Sequence, residues 1–204
     1  MKRSYLVLLV LLLIFLAYRV FIRPENSIKK EEKQAAISLK SHSEIFNDKV
    51  QKAVNAYFSL KDALAEDDSI NIKAKTSSLI NLLDSIPMEE LKKDTASIYE
   101  GGVATLNDIK SNFKSLLQQT TMETMRQDFS MATDMMYPGF FKMINYEGAT
   151  LYLQYCPMAF GDEKGANWIS NSAEIVNPYL GKNHPIYKAA MLHCGELKDS
   201  LVRK

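Results

Sequence analysis

Between Phe46 and Ile144 apolar residues return every three or four positions, and this periodicity constrains the fold more than any other feature of the chain. Phe46, Val50, Val54, Tyr57, Leu60 and Leu64 make one helix face. Asp67, Asp68 and Ser69 then interrupt the pattern and supply a new N-cap. Ile72, Leu79, Leu83 and Ile86 form a second stripe. Pro87 stops it, because proline has no backbone N–H to donate and its ring clashes with the preceding turn. Leu91, Ile98, Leu106, Ile109, Phe113 and Leu116 predict a third, longer helix. Gly101 and Gly102 inside it each cost about 1 kcal/mol relative to alanine, so they mark a kink or the close approach of a neighbour. Thr120 and Glu123 have capping-box spacing and open a fourth stripe of Met122, Met125, Phe129, Ala132 and Met136. Pro138 and Gly139 bend or end it, and Phe140, Phe141 and Ile144 add another turn. Four amphipathic helices joined by short links run antiparallel to their neighbours. The expected fold is mainly α: an antiparallel four-helix bundle with a C-terminal arm and helix, the arm partly extended, preceded by an N-terminal anchor.

Composition narrows the function classes. Eight glycines and six prolines in 204 residues favour helix over a turn-rich β fold. A net charge of +1 leaves no general electrostatic case for nucleic acid. There is no C-x-x-C motif, phosphate loop, nucleophile elbow or histidine-rich zinc motif. The chain is therefore not expected to be an enzyme. Asp128 and Asp134 fall on predicted polar faces, where solvated carboxylates belong. His42 and His184 read as solvated or capping residues.

The N-terminus reads as an export signal that stays in place. Lys2 and Arg3 precede an apolar run from Tyr5 to Tyr18, and Val20, Phe21 and Ile22 extend it beyond Arg19. No A-x-A cleavage pattern follows, and no cysteine is present to carry a lipid. The run from Ser4 to Ile22 is long enough to span a bilayer if Arg19 snorkels to the interface. Residues 1–24 are thus expected to be a transmembrane signal-anchor, residues 25–40 a charged stalk, and residues 41–204 the folded domain. A cleaved signal with an atypical site is the alternative. Arg19, Arg23, Lys29 and Lys30 weigh against export; the short N-terminal tail and signal-like layout weigh for it, and export is the expectation.

The chemistry concentrates near the C-terminus, where both cysteines lie. Leu151 to Tyr155 alternates as a strand or extended arm would, and Cys156-Pro157-Met158 follows. An extended backbone aims residues two apart to one side, which lets Cys156 and Met158 offer a thiolate and a thioether to one soft ion. Met191, His193 and Cys194 supply the second half. Local geometry cannot aim all of them at one point, so two to four ligands from this set suit Cu(I), and Zn(II) less well. Three other readings stand beside it. Tyr187, Ala190, Met191, Cys194, Leu197 and Leu201 form a helical stripe of their own. A Cys156–Cys194 disulfide would close a loop of about 39 residues and contribute about 4 kcal/mol in the chain-entropy model. The thiols are otherwise free and idle. The methionine-rich fourth stripe reads as core filling, with Met131 and Met135 partly off it as thioether candidates. Trp168 reads as a packing anchor with its N–H satisfied, and Asn177-Pro178-Tyr179 as a turn.

Taken in order, Tyr155-Cys156-Pro157-Met158-Ala159, Gly165-Ala166-Asn167-Trp168-Ile169-Ser170, Glu174-Ile175, Asn177-Pro178-Tyr179 and Met191-Leu192-His193-Cys194-Gly195-Glu196 resemble the family catalogued as domain of unknown function 3347. The resemblance spans roughly residues 45–197. It implies a mainly helical extracytoplasmic domain of bacteria, often attached in relatives to periplasmic adaptor subunits of copper and silver efflux pumps. On that footing the expected location is the inner membrane, single-pass, with the domain in the periplasm. The expected partners are the membrane and heavy-metal efflux components, and the expected cofactor is Cu(I).

Overall fold

The computed structural model describes residues 39–202 apart from Asp162, together with Tyr18. The expected anchor is otherwise outside the described residues, as is the stalk up to residue 38. From Ser38 onward the chain forms one compact unit. Among the described residues no helix is long and apolar enough to cross a membrane.

The unit is mainly helical with a small antiparallel sheet. Helices α1 (Glu44–Ala65), α2 (Ser69–Asp84), α3 (Ala96–Gln118) and α4 (Met122–Met135) carry the predicted stripes. Each opens on a side-chain cap. Ser43 accepts from the Phe46 N–H, Asp68 from Asn71, Thr95 from Ile98 and Thr121 from Thr124. Such caps stabilise a helix by about 1 kcal/mol each. The fourth cap is Thr121, one residue later than the capping-box spacing of Thr120 suggests. The third stripe also divides. Leu91 lies in a separate 3-10 turn, Met88–Lys93, and α3 begins only at Ala96. That turn explains the glycine pair: a Cβ on Gly102 would stand 2.8 Å from Leu91 Cδ1 and 3.1 Å from Met88 Cε. Gly102 allows close approach and does not kink the helix.

Successive helices pack against one another, α1 on α2, α2 on α3 and α3 on α4. Tyr57 ties α1 to α4. Its ring stacks on Phe129 at 5.1 Å, and its hydroxyl pairs with Thr133 Oγ1 at 2.7 Å. The same hydroxyl accepts the Ile169 N–H at 3.2 Å, which joins the helical layer to the sheet. Burial pushes the Tyr57 hydroxyl pKa well up, and the hydrogen bonds only partly offset that. After Met135 the helix gives way to a π-type turn, Met136–Phe140, in which Tyr137 has extended backbone angles (φ −117°, ψ 132°). A last helical turn, α5 (Phe141–Met143), follows.

The C-terminal part departs from the sequence expectation. It is a three-stranded antiparallel sheet in the order β2-β1-β3, with β1 at Leu151–Cys156, β2 at Ala166–Ser170 and β3 at Glu196–Leu201. The Tyr187-to-Leu201 stripe is not a helix. Its end pairs with the free edge of β1, where backbone groups of both strands find partners, and its side chains remain largely exposed. Between β2 and β3 only a 3-10 turn, Ala189–Met191, is helical. The sheet packs through β2 onto α4 and α1.

His42 is not solvated. Its side chain is 1% exposed, its ring stacks on Phe46 at 4.1 Å, and its Nε2 lies 2.6 Å from the Ile144 carbonyl. Beside it, Glu90 accepts from the Ser43 N–H and hydroxyl at 2.6 Å each and from the Lys93 ammonium at 2.9 Å. Burial alone would raise this carboxyl's pKa, but the Ser43 and Lys93 donors reverse that and hold it down to about 2. A folded-state pKa below the unfolded value contributes stability at pH above about 4.5, which is lost as pH falls towards about 2. Urea unfolding across that range should therefore show a steeper acid limb in the wild type than in Glu90→Gln. Parallel curves would contradict the assignment.

Candidate dithiol site

The two cysteines meet at the β1–β3 end of the sheet. Cys156 closes β1 and is fully buried; Cys194 stands two residues before β3 and is half-buried. The register places Tyr155 opposite Glu196, so the chain segments carrying the two sulfurs run side by side. The sulfurs are 3.6 Å apart, and both thiols are free. Burial pushes the Cys194 thiol pKa up, and its hydrogen bond with Cys156 pushes in the same direction.

Asn177, fully buried, holds the second cysteine. Its backbone N–H donates to the Leu192 carbonyl at 2.8 Å, and its Nδ2 donates to the Cys194 carbonyl at 2.7 Å. Its Oδ1 accepts the N–H groups of Tyr179 and Leu180 at 2.8 and 3.1 Å. Asn177-Pro178-Tyr179 is thus a turn, as expected. Arg126 fixes its other side, donating from Nε to the Pro178 carbonyl at 2.8 Å and from Nη2 to the Leu64 carbonyl at 3.0 Å and to Asp67. Tyr179 donates its hydroxyl to the Asn167 carbonyl.

Trp168 is wholly buried and packs edge-on against Tyr179 at 6.1 Å. Its Nε1–H has no hydrogen-bond partner among the described residues, where the sequence reading expects a satisfied N–H. Gly195 sits tight against it, with φ at +148°. Gln154 of β1 is buried and donates to the carbonyls of Ser172 and Glu174, at 3.0 and 2.9 Å, pinning the loop after β2.

The other predicted ligands are elsewhere. The backbone turns at Pro157-Met158 instead of running on extended. Met158 therefore lines a cavity of about 340 Å³ with Met122, Arg126, Phe160, Tyr179 and His184, a cavity that neither cysteine lines. Met191 is half-buried, and its carbonyl accepts the Cys194 N–H at 3.0 Å. His193 is exposed, with Nδ1 2.7 Å from the Ile175 carbonyl. Among the described residues no three His, Cys, Asp or Glu side chains converge as a metal cluster. Along the methionine-rich stripe, Met125 of α4 and Met136 of the turn after it are core while Met131 and Met135 are exposed, and Asn112 Nδ2 donates to Met135 Sδ at 3.5 Å. Asp128 is buried and accepts from Gln119 Nε2 at 2.8 Å, so it is not the solvated carboxylate its position in the stripe suggests.

Comparison with known proteins adds one finding. The family described as "Protein of unknown function (DUF3347)" matches residues 53–145. This helical region is similar to DUF3347. The match covers α2, α3 and α4 and most of α1, and it stops before β1, so the cysteine blocks that suggest the resemblance lie outside the DUF3347 stretch. No curated protein and no solved structure matches the chain.

A Cβ at Gly195 would stand 2.8 Å from Trp168 Cη2 and 2.9 Å from the Tyr155 carbonyl oxygen, at a backbone angle that side chains disfavour. Gly195→Ala should lower the unfolding free energy by about 1–3 kcal/mol and alter the near-ultraviolet circular dichroism of Trp168. A variant with wild-type stability and spectrum would contradict this packing.

Proposed function

We propose that this chain is a membrane-anchored, non-catalytic periplasmic module that holds a soft metal ion, Cu(I) or Ag(I), between Cys156 and Cys194, as an accessory to heavy-metal efflux or homeostasis. The observation that carries the reading is the 3.6 Å separation of the sulfurs. A disulfide bond is about 2.05 Å long. Two sulfurs bound at about 2.3 Å to a tetrahedral ion, the zinc case, stand about 3.8 Å apart, so a pair at this separation can share one ion that takes further donors. Thiolates select soft ions, and the low count of hard donors at the pair disfavours Ca(II) or Mg(II). Met191, half-buried and three residues before Cys194, is the next donor along the chain. The anchor at residues 1–24 keeps the module at the membrane, and the four helices, read as an antiparallel bundle, form its scaffold.

A second reading rests on a different observation. The raised Cys194 pKa favours the thiol over the thiolate that a metal needs. In an oxidising compartment the same pair closes as a disulfide, and the chain is then a structural or interaction domain whose β3 arm is clamped to β1.

Titration of the reduced full-length chain with Cu(I) against a competing chelator, with a free-thiol count on the protein as isolated, separates the two. The metal reading predicts two free thiols and one tightly held Cu(I), lost in Cys156→Ser and unchanged in Met158→Leu, whose side chain faces the cavity. Oxidised thiols with no copper retained would leave the clamp.

A further inference from the structure

We infer that Asn177 is the positioning residue of the dithiol, the group that sets the distance between Cys156 and Cys194. The inference rests on the pair being the functional centre and holds whether the pair grips a metal or closes as a disulfide. The two cysteines are held by unlike means. Cys156 ends a central strand, paired on one side with Ala166 of β2 and flanked on the other by the start of β3. Cys194 belongs to no strand or helix; its own N–H closes a turn on Met191. His193 touches the Ile175 carbonyl from this turn, but the contact made at Cys194 itself comes from Asn177, which donates to the carbonyl two residues before the second sulfur and to the carbonyl of Cys194. No other side chain hydrogen-bonds the Cys194 backbone among the described residues.

The carboxamide suits the task through its two chemically different ends. Its N–H₂ reaches Cys194, while its oxygen accepts from Tyr179 and Leu180 and so ties the cysteine turn to the segment that Arg126 bolts to α1. Aspartate has the same shape and keeps the acceptor end. At the donor end it replaces a hydrogen bond with a carboxylate facing a carbonyl oxygen, two acceptors that repel. Asn177→Asp is therefore expected to push Cys194 away from Cys156 while keeping the Tyr179–Leu180 turn.

The test needs no metal. Diamide oxidises a dithiol by taking two electrons and two protons into its N=N bond, which becomes a hydrazine as the S–S bond forms. The closure rate of the reduced full-length chain, followed by thiol loss and intact mass, reads how often the sulfurs meet. Thr76→Val, which removes a buried hydroxyl on α2 that donates to the Ile72 carbonyl, serves as the control for general destabilisation. We expect Asn177→Asp to slow closure at least tenfold, and Thr76→Val to leave it within twofold of wild type, even where both variants lose similar thermal stability. Equal closure rates in Asn177→Asp and wild type would overturn the assignment, as would equal slowing in both variants. Cu(I) titration of the same proteins separates this from the metal reading. If the wild type retains no copper while Asn177→Asp still slows diamide closure, the metal reading fails and the positioning role stands.

Discussion

The sheet, and with it the sulfur pair, is held in place by a column of four aromatic rings. Tyr57 stacks on Phe129 at 5.1 Å, Phe129 meets Tyr179 at 6.0 Å, and Tyr179 meets Trp168 at 6.1 Å. The column starts on α1, crosses α4 and the Asn177 turn, and ends on β2, where Trp168 rests against Gly195 beside Cys194. All four rings are essentially excluded from water. Aromatic pairs at these separations contribute about 0.5–1.5 kcal/mol each beyond the area they bury, and the rings also fix direction. The Tyr57 hydroxyl bonds Thr133 and Ile169, and the Tyr179 hydroxyl bonds Asn167. A shift of β2 would break both hydroxyl contacts and the ring packing together, so the sheet has one well-defined seat on the helices.

That seat accounts for the contrast between the two cysteines. Cys156 is part of the seated sheet, and Cys194 is brought to it by the Asn177 turn. Burial and the contact with Cys156 push the Cys194 thiol towards its protonated form. A thiol becomes a metal ligand or a disulfide partner only by giving up its proton.

The helical half of this architecture is legible in the sequence and the C-terminal half much less so. Stripes from Phe46 to Ile144 work because burial on a helix repeats locally, so each stripe carries its own evidence. The offsets at Thr121 and Ala96 are errors of boundary. The strand β3 is different. Leu197 and Leu201 are four apart, a helical spacing, yet the strand forms because β1 offers an unpaired edge, and local sequence does not record that partner. The buried polar residues Arg126, Gln154 and Asn177 escape for a related reason. Each is inside because carbonyls from distant segments converge on it. The turn at Pro157 sends Met158 to the cavity and separates it from Cys156, so of the five expected ligands only the sulfurs of Cys156 and Cys194 meet.

The most direct measurement of the central claim is copper K-edge X-ray absorption on the full-length chain loaded with one equivalent of Cu(I). The expected first shell contains two sulfur scatterers, reduced in Cys194→Ser. A shell of nitrogen and oxygen alone, or one in which removing either cysteine changes nothing, would contradict it.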